Sequence, residues 1–134
     1  MKIVISLGGS LLTRDFSVSG VRKYIDVLKK ISEKTDKLVI IVGGGRVCRE
    51  YQAIARELSA SQDMQDYIGI KATHFNASLV ASALGNYTEI SNNEKKFKNY
   101  VEIPNNEKEL KDALAKNKIV VGGGLKVGQS TDAV

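Results

Sequence analysis

A single cysteine rules out an internal disulfide, and a single histidine argues against a metal centre built from histidine and cysteine. We therefore expect no metal ligands among the side chains. The chain also lacks tryptophan and has only one proline. No apolar run approaches the length of a membrane span, and the chain begins with a predicted strand rather than a signal peptide. We expect a cytoplasmic protein without a membrane partner.

Basic residues exceed acidic ones, with 20 Lys and Arg against 15 Asp and Glu and a net charge of +5. The lysines alternate with acidic residues and form no dense basic run with aromatic neighbours. This pattern favours a solvated surface and a small anionic ligand over a nucleic-acid partner. Hydrophobic residues make up 43% of the 134 positions, which is enough for one domain with a core.

The stretch from Leu38 to Leu58 predicts a strand, a glycine loop and a helix in succession. Leu38–Val42 is apolar and mostly β-branched, which is typical of a strand buried on both faces. Gly43–Gly45 would let the main chain turn sharply and lie close to a ligand. Arg46 and Arg49 fall in the first turn of the helix, where its dipole disfavours cations unless an anion is bound. The stretch therefore predicts a phosphate-binding loop; the alternative is a structural turn with solvated arginines.

The remaining pattern predicts further strands at 2–7, 87–90 and 118–121, and further helices over 21–31, 62–84 and 107–116. Segments 11–20 and 91–99 are predicted as a connector and a surface loop, and Ser19 as a helix cap. This alternation predicts an α/β fold with an open, doubly wound, mostly parallel sheet and helices on both faces. One stripe of the longest helix is predicted to form core or a subunit interface: Met64, Ile68, Ala72, Phe75, Leu79 and Ala83.

Three predicted strands end in glycines, at 8–9, 43–45 and 122–124. The carboxyl ends of parallel strands lie at one edge of a sheet, where ligands gather. After the last of these loops, Ser130-Thr131-Asp132 forms a helix N-cap cluster that only two residues follow. We therefore expect residues 1–134 to be a single partial domain of a longer protein. One face of its sheet should then be partly bare.

Several common site motifs are absent. Cys48 occupies the position of the third glycine in a dinucleotide-binding G-x-G-x-x-G pattern, and no Gly-Lys pair exists for a P-loop. No G-x-S-x-G elbow occurs, and His74 lies mid-helix, which favours a surface or hydrogen-bonded structural residue. The arginines and the helix start could lower the pKa of Cys48, but a small residue packed beside the loop is the favoured interpretation.

Four motifs together carry a family resemblance. The segments 2–11, with Gly8-Gly9-Ser10, and 42–49, with Gly43–Gly45 and Arg49, resemble the two amino-terminal loops of the amino acid kinase superfamily. The segments 66–77 and 123–133 narrow this resemblance to the uridylate kinases of the archaeal type. The resemblance covers the whole chain in order. It implies transfer of the γ-phosphoryl group of ATP to UMP in pyrimidine nucleotide synthesis, with Mg²⁺ accompanying ATP, and a homo-hexamer in intact relatives.

The resemblance also implies how UMP is bound. Gly44 and Gly45 would donate main-chain N–H groups to its α-phosphate, and Arg49 would pair with the phosphate charge. Asp66 would accept hydrogen bonds from the ribose hydroxyls, although a surface carboxylate is the simpler alternative. The loop from Gly124 through Ser130 to Thr131 would surround the uracil, and capping of a helix is the alternative role for Thr131.

The ATP phosphates would lie against the first loop. Gly8, Gly9 and Ser10, together with Gly45, would contact the β- and γ-phosphates, and Gly9 and Ser10 are the predicted catalytic residues. Many relatives carry a lysine two residues before the first loop glycine, where this chain has Ser6. The resemblance places most of the ATP site in a further part of the family sequence, so we expect residues 1–134 to be inactive alone.

Two alternatives remain open at this stage. Ser6 and the missing ATP-binding part would also suit a non-catalytic nucleotide- or phosphate-binding module. Other phosphotransferases of the superfamily share the glycine loops. However, the isopentenyl phosphate kinases use a histidine just after the second loop, and this chain has none there.

Overall fold

Strands and helices alternate along the part of the chain that the structure describes. The computed structural model describes residues 1–89, 95–98, 104 and 106–125, with the backbone alone at 86–89 and 95–98. Its elements are β1 (Lys2–Leu7), α1 (Gly9–Arg14), α2 (Val18–Glu33), β2 (Lys37–Val42), α3 (Gly45–Glu57), α4 (Gln62–Leu84), β3 (Asn86–Glu89), β4 (Lys95–Lys98), α5 (Glu107–Lys116) and β5 (Ile119–Gly122).

A parallel three-stranded sheet lies at the centre, with the strand order β1-β2-β5. In its register Ile5 lies opposite Ile40, and Ile40 lies opposite Val121. The ladder between β1 and β2 extends into the second glycine loop, because Gly43 N donates to Leu7 O at 2.9 Å. All three strands therefore end at the same edge, and the three glycine segments meet there as predicted.

One face of this sheet is covered by α1, α2 and α4 and holds the main core. Every second residue of each strand points to this face, which is the period expected of a strand. The buried side chains that form the cluster are Leu7, Leu12, Ile25, Leu28, Leu38, Ile40, Val42, Ala77, Val80, Ala81 and Val121.

The opposite face of the sheet is covered only in part. Helix α5 lies against this face at β5: Ala113 and Val120 are fully buried, and Lys37 Nζ donates to the Leu114 carbonyl. Val4 on β1 is 71% exposed. The sheet thus has helices on both faces, and one face is partly bare, as the sequence predicts.

The first connector and the first cap differ from the sequence prediction. Residues 9–14, predicted within a loop and connector, form the short helix α1. Helix α2 begins at Val18, and its cap is Ser17, whose Oγ accepts the Gly20 N–H at 3.1 Å, so the prediction of Ser19 as cap is wrong. The earlier start adds a turn to α2 and shortens the connector.

At 87–99 the predicted strand is found, but part of the predicted loop is wrong. Strand β3 (Asn86–Glu89) pairs antiparallel with β4 (Lys95–Lys98) in a separate two-stranded sheet. Part of the predicted surface loop is therefore a strand. Residue 90, the end of the predicted strand, lies outside the described residues.

Helix α4 packs through its small side chains rather than through its large apolar ones. Phe75 is 81% exposed and Met64 is 49% exposed, so these two are not core residues as the predicted stripe implied. The buried positions of the helix include Gly69, Ala72, Ala77, Val80 and Ala81. Small residues bring the helix close to the sheet and to the glycine loops. The subunit-interface alternative for Met64 and Phe75 stays a prediction.

Among the described residues, no helix combines the length and the apolar character that a membrane crossing requires.

Candidate functional site

The first two glycine loops touch each other main chain to main chain. A Cβ placed on Gly9 would lie 2.4 Å from Gly45 N and 2.5 Å from Gly43 O. A Cβ on Gly45 would lie 2.6 Å from the Gly9 carbonyl carbon, and Gly45 also has a φ of +63°. Real Cβ atoms do not approach main-chain atoms this closely, so both positions require glycine. The predicted ATP loop and the predicted UMP phosphate loop are thus one continuous main-chain surface.

Gly8 lies on the open side of this surface. The nearest atom to a Cβ placed there is Leu11 Cγ at 4.0 Å, and the residue is exposed. Its carbonyl oxygen accepts from the N–H of Leu11 and of Leu12, at 3.0 and 3.3 Å, which anchors the loop to α1. Gly8 is therefore fixed in place while its outer side stays accessible.

The amino end of α3 offers main-chain donors, as the loop hypothesis requires. Helix α3 has no side-chain cap and no acidic residue in its first turn. Within the described residues, the N–H groups of Gly44 and Gly45 donate to no protein acceptor. A helix start with free N–H groups and no acidic side chain suits an anion.

The two arginines of α3 have different surroundings. Arg46 forms an ion pair with Glu50 one turn later, at 2.8 Å and on an exposed surface. Its presence at the helix start therefore needs no bound anion, and that half of the sequence argument is wrong. Arg49 instead donates from Nη1 to Ser10 Oγ at 3.1 Å. The guanidinium of Arg49 thus lies at the first glycine loop, where the predicted UMP and ATP phosphates would meet.

Helix α4 holds the second glycine loop through a buried amide. Asn76 is 7% exposed, and its Nδ2 donates to Gly43 O at 2.9 Å and to Gly44 O at 3.1 Å. The sequence analysis did not select Asn76. A signal was available, since Asn76 lies at helical spacing between the small or apolar residues Ala72 and Val80, on the side of α4 that is buried.

The same helix holds the third glycine segment. Thr73 Oγ1 accepts the Gly124 N–H at 2.8 Å and donates to Ile70 O at 2.6 Å. His74 Nε2 lies 2.7 Å from Gly124 O. Because a carbonyl oxygen only accepts, Nε2 carries the hydrogen in this contact. The prediction that His74 is a hydrogen-bonded structural residue is confirmed, and its partner lies in the predicted uracil loop.

Cys48 packs beside the loop as a small side chain. A Cβ on Gly44 would lie 2.4 Å from Cys48 Cβ, and Sγ lies 3.4 Å from Gln52 Oε1. Burial raises the pKa of the Cys48 thiol, and the charge of Arg49 only partly opposes this effect. The packed-residue interpretation is therefore confirmed, and a lowered thiol pKa is contradicted.

The remaining predicted residues are placed less completely. Asp66 lies near the start of α4 on the same helical face as Ile70 and Thr73, and its Oδ1 accepts from Gln62 Nε2 at 2.9 Å. That face leads toward Gly124, and the role of Asp66 at the ribose stays a prediction. Ser130 and Thr131 lie outside the described residues.

A metal site does not emerge from the described side chains. Within the described ranges, no three His, Cys, Asp or Glu side chains are grouped closely enough to hold an ion. The site instead provides hydrogen-bond donors and positive charge: main-chain N–H groups and the Arg49 guanidinium at the carboxyl edge of a parallel sheet. These groups can bind and orient a phosphate.

The fold and the site together define a parallel α/β protein with an anion-binding corner built from two glycine loops. The model of the Amino acid kinase family matches residues 1–133. The chain therefore belongs to the amino acid kinase family, as the sequence motifs indicated.

Named relatives add detail to this assignment. The chain is 41% identical over 136 residues to a uridylate kinase of Methanosarcina mazei, a match covering 100% of this chain and 52% of that protein. It is 40% identical to a uridylate kinase of Methanothermobacter thermautotrophicus, covering 54% of that protein. The crystal structure of the Archaeoglobus fulgidus uridylate kinase matches 98% of this chain and 54% of its own, with a TM-score of 0.79 and 33% identity. The chain spans about half the length of the relatives it matches.

Proposed function

We propose that this chain carries the UMP-binding part of a UMP kinase, which transfers the γ-phosphoryl group of ATP to UMP in pyrimidine nucleotide synthesis in the cytoplasm. One observation carries the proposal. Arg49 Nη1 reaches Ser10 Oγ in the first loop while the N–H groups of Gly44 and Gly45 lie unbonded within the described residues. Archaeal uridylate kinases among the relatives support UMP as the acceptor.

The acceptor phosphate would be bound by charge and by main-chain hydrogen bonds. Gly44 and Gly45 donate N–H groups, and Arg49 supplies a planar guanidinium that fits two phosphate oxygens. Asp66 would bind the ribose hydroxyls, while Gly124, Ser130 and Thr131 would contact the uracil. Phosphoryl transfer depends mainly on positioning and charge stabilisation, which is what these groups supply.

The donor phosphates would lie beside the acceptor phosphate. Gly8, Gly9, Ser10 and Gly45 form the main-chain surface that would contact the β- and γ-phosphates of ATP, with Gly9 and Ser10 closest to the transferred group. The Mg²⁺ that accompanies ATP in kinases finds no cluster of carboxylates among the described residues.

Calorimetry tests the acceptor assignment directly. We expect the 134-residue chain to bind UMP more tightly than CMP, AMP or inorganic phosphate, and to form no UDP when ATP and Mg²⁺ are added. Equal affinity for all four ligands would reduce the proposal to a general phosphate-binding module. Rapid UDP formation would contradict the expectation that these residues are inactive alone.

We further propose that the intact protein is a homo-oligomer. Several large apolar side chains of α3 and α4 are exposed, and four of them line one groove between the two helices: Val47, Tyr51, Tyr67 and Phe75. Exposed patches of this kind mark association surfaces. Light scattering on the intact protein tests this, and a monomer at all concentrations would contradict it.

A further inference from the structure

One turn of α4 contacts both the second and the third glycine segments. We propose that Asn76, Thr73 and His74 are positioning residues: Asn76 aims the phosphate-binding N–H groups, and Thr73 with His74 places the segment at Gly124 against them. This inference rests on the proposed function for the ligand but on the described contacts for the geometry.

Asn76 determines which way two peptide groups face. In a trans peptide the C=O of one residue and the N–H of the next point in opposite directions. Because Asn76 Nδ2 donates to the carbonyl oxygens of Gly43 and Gly44, both oxygens face α4. The N–H groups of Gly44 and Gly45 belong to the same two peptides, so they point away from α4, and Gly45 N lies on the side of the first loop, next to Gly9. These are the two donors assigned to the UMP phosphate.

The burial of Asn76 makes this arrangement specific. The side chain is only 7% exposed, so water cannot readily replace it. Without its amide, Gly43 O would lose its donor in a mostly enclosed place, and Gly44 O would keep only the longer bond from the Cys48 N–H at 3.4 Å, which is unfavourable. The glycines themselves have wide conformational freedom, so the Gly43–Gly44 peptide plane in particular would be free to rotate. Asn76 therefore restricts a loop that its own sequence leaves flexible.

Thr73 joins the two segments directly. Its hydroxyl accepts the Gly124 N–H, and a Cβ on Gly123 would lie 2.4 Å from the same oxygen. On its other side, Thr73 Cγ2 lies 3.5 Å from a Cβ placed on Gly44. His74 Nε2 holds Gly124 O. One side chain and its neighbour thus hold Gly123 and Gly124 close to the second glycine loop.

This geometry predicts that phosphate and base affinity respond to different residues. Replacing Asn76 by Leu, which has a similar shape without a donor, should weaken the binding of UMP and of inorganic phosphate and leave the affinity for uridine unchanged. Replacing Thr73 by Val should weaken the binding of UMP and of uridine and leave the affinity for inorganic phosphate unchanged. Loss of one or two neutral hydrogen bonds corresponds to about a tenfold change in affinity.

Calorimetry with UMP, uridine and inorganic phosphate on matched variants tests this split. Thr73→Ser restores the hydroxyl and should return uridine affinity to that of the unchanged chain. Ser78→Ala is the control, because Ser78 is exposed and donates only to His74 O on its own helix, so all three affinities should stay unchanged. If Asn76→Leu does not fold, Asn76→Ser, which keeps one donor, should show a smaller loss of affinity for UMP and inorganic phosphate, again with no loss for uridine. A merely structural role would weaken all ligands equally, and that result overturns the proposal.

The amide resonances of the glycines give a readout that needs no ligand. Asn76→Leu should shift the N–H signals of Gly44 and Gly45 and leave the signal of Gly124 unchanged. Thr73→Val should shift the signal of Gly124 and leave the signal of Gly45 unchanged. Unmoved glycine signals in both variants would overturn the positioning role. If the signals respond as expected but the unchanged chain binds no UMP, the proposed function fails and the positioning role stands.

Discussion

The two ends of the central sheet are held together in different ways. At the carboxyl end, the glycines after β1 and β2 touch through main-chain atoms, and a buried amide from α4 closes the contact. At the amino end, main-chain hydrogen bonds are joined by an exposed ion pair between the Met1 ammonium and the Asp36 carboxylate, and each of these two residues is more than two-thirds exposed. At the carboxyl end, Gly9 and Gly45 leave no room for a side chain, whereas Met1 and Asp36 at the amino end are exposed.

The difference shows that the positions that accept only glycine lie at the carboxyl end of the sheet, where the predicted binding site is. Main-chain contact leaves N–H groups unshielded by side chains and available to a ligand, but only glycine is compatible with it. An exposed ion pair stabilises little, because water and salt screen it.

Gly9→Ala should be the most damaging of these substitutions. Its Cβ would lie 2.4 Å from Gly45 N, and main-chain atoms on both sides leave no flexible group to move. We expect a loss of at least about 3 kcal/mol in the free energy of unfolding, at the upper end of overpacking effects. Urea denaturation followed by circular dichroism measures this. Gly8→Ala is the matched control, since its nearest neighbour is 4.0 Å away, and its loss should stay below about 1 kcal/mol. Equal losses for the two variants would mean that the two loops do not touch.

Arg49→Ala should weaken UMP binding by roughly 1.5–3 kcal/mol, which is typical of a lost charged hydrogen bond. Uridine, which has no phosphate, should bind as before. Arg46→Ala is the control at the same helix start, because Arg46 pairs with Glu50 instead of facing Ser10. Calorimetry with UMP and uridine on both variants gives the comparison. A loss of UMP affinity in Arg46→Ala as large as in Arg49→Ala would remove the special role of Arg49.

Cys48 should react slowly with an alkylating reagent at neutral pH. Burial raises the pKa of its thiol, so less of the reactive thiolate is present than in an unfolded chain. We expect iodoacetamide to modify the folded chain several-fold more slowly than the urea-unfolded chain, and the folded rate to rise only at higher pH. Mass spectrometry over time follows the modification. Equal rates in the two states would show that the packing beside Gly44 is open.

Asp36→Asn should have the smallest effect, at the amino end of the sheet. Its contact with the Met1 ammonium lowers the pKa of the Asp36 carboxyl. A lowered folded pKa gives stability that is present above the unfolded pKa and is lost as the pH falls through the folded pKa. Asp36→Asn should therefore slightly lower the urea midpoint at neutral pH and leave it unchanged below the folded pKa. A lower midpoint in strong acid as well would point to a role other than the ion pair.

Local patterns predict much of this fold. The bounds of α4 and α5 agree with the sequence prediction, since Ser61 and Asn106 cap them as expected from their residue types. Strand β2, its glycine loop and α3 follow from a β-branched run, three glycines and a helical period. Helix α1 has only six residues, which is too short for a periodic signal. Strand β4 is rich in lysine, a composition that is typical of a surface loop.

The errors within the candidate site arise from tertiary contacts that no local pattern encodes. Apolar spacing places Phe75 in a stripe predicted to form core or a subunit interface, but α4 faces the sheet with its small residues, so Phe75 is not in the core. Arg46 and Arg49 look equivalent in sequence, and only the fold shows that one meets Glu50 and the other Ser10. Asn76 has its role because the loop carbonyls lie opposite it in space.

The contact between the first two glycine loops also bears on how the molecule acquires its binding corner. Arg49 and Ser10 are 39 positions apart in sequence, and they meet only after β1 and β2 pair in parallel with α2 as the crossover. Parallel pairing closes a long loop and is slow compared with the formation of local helices. A partly folded chain with its helices in place would therefore have no corner for an anion, so phosphate affinity appears as one of the last events of folding.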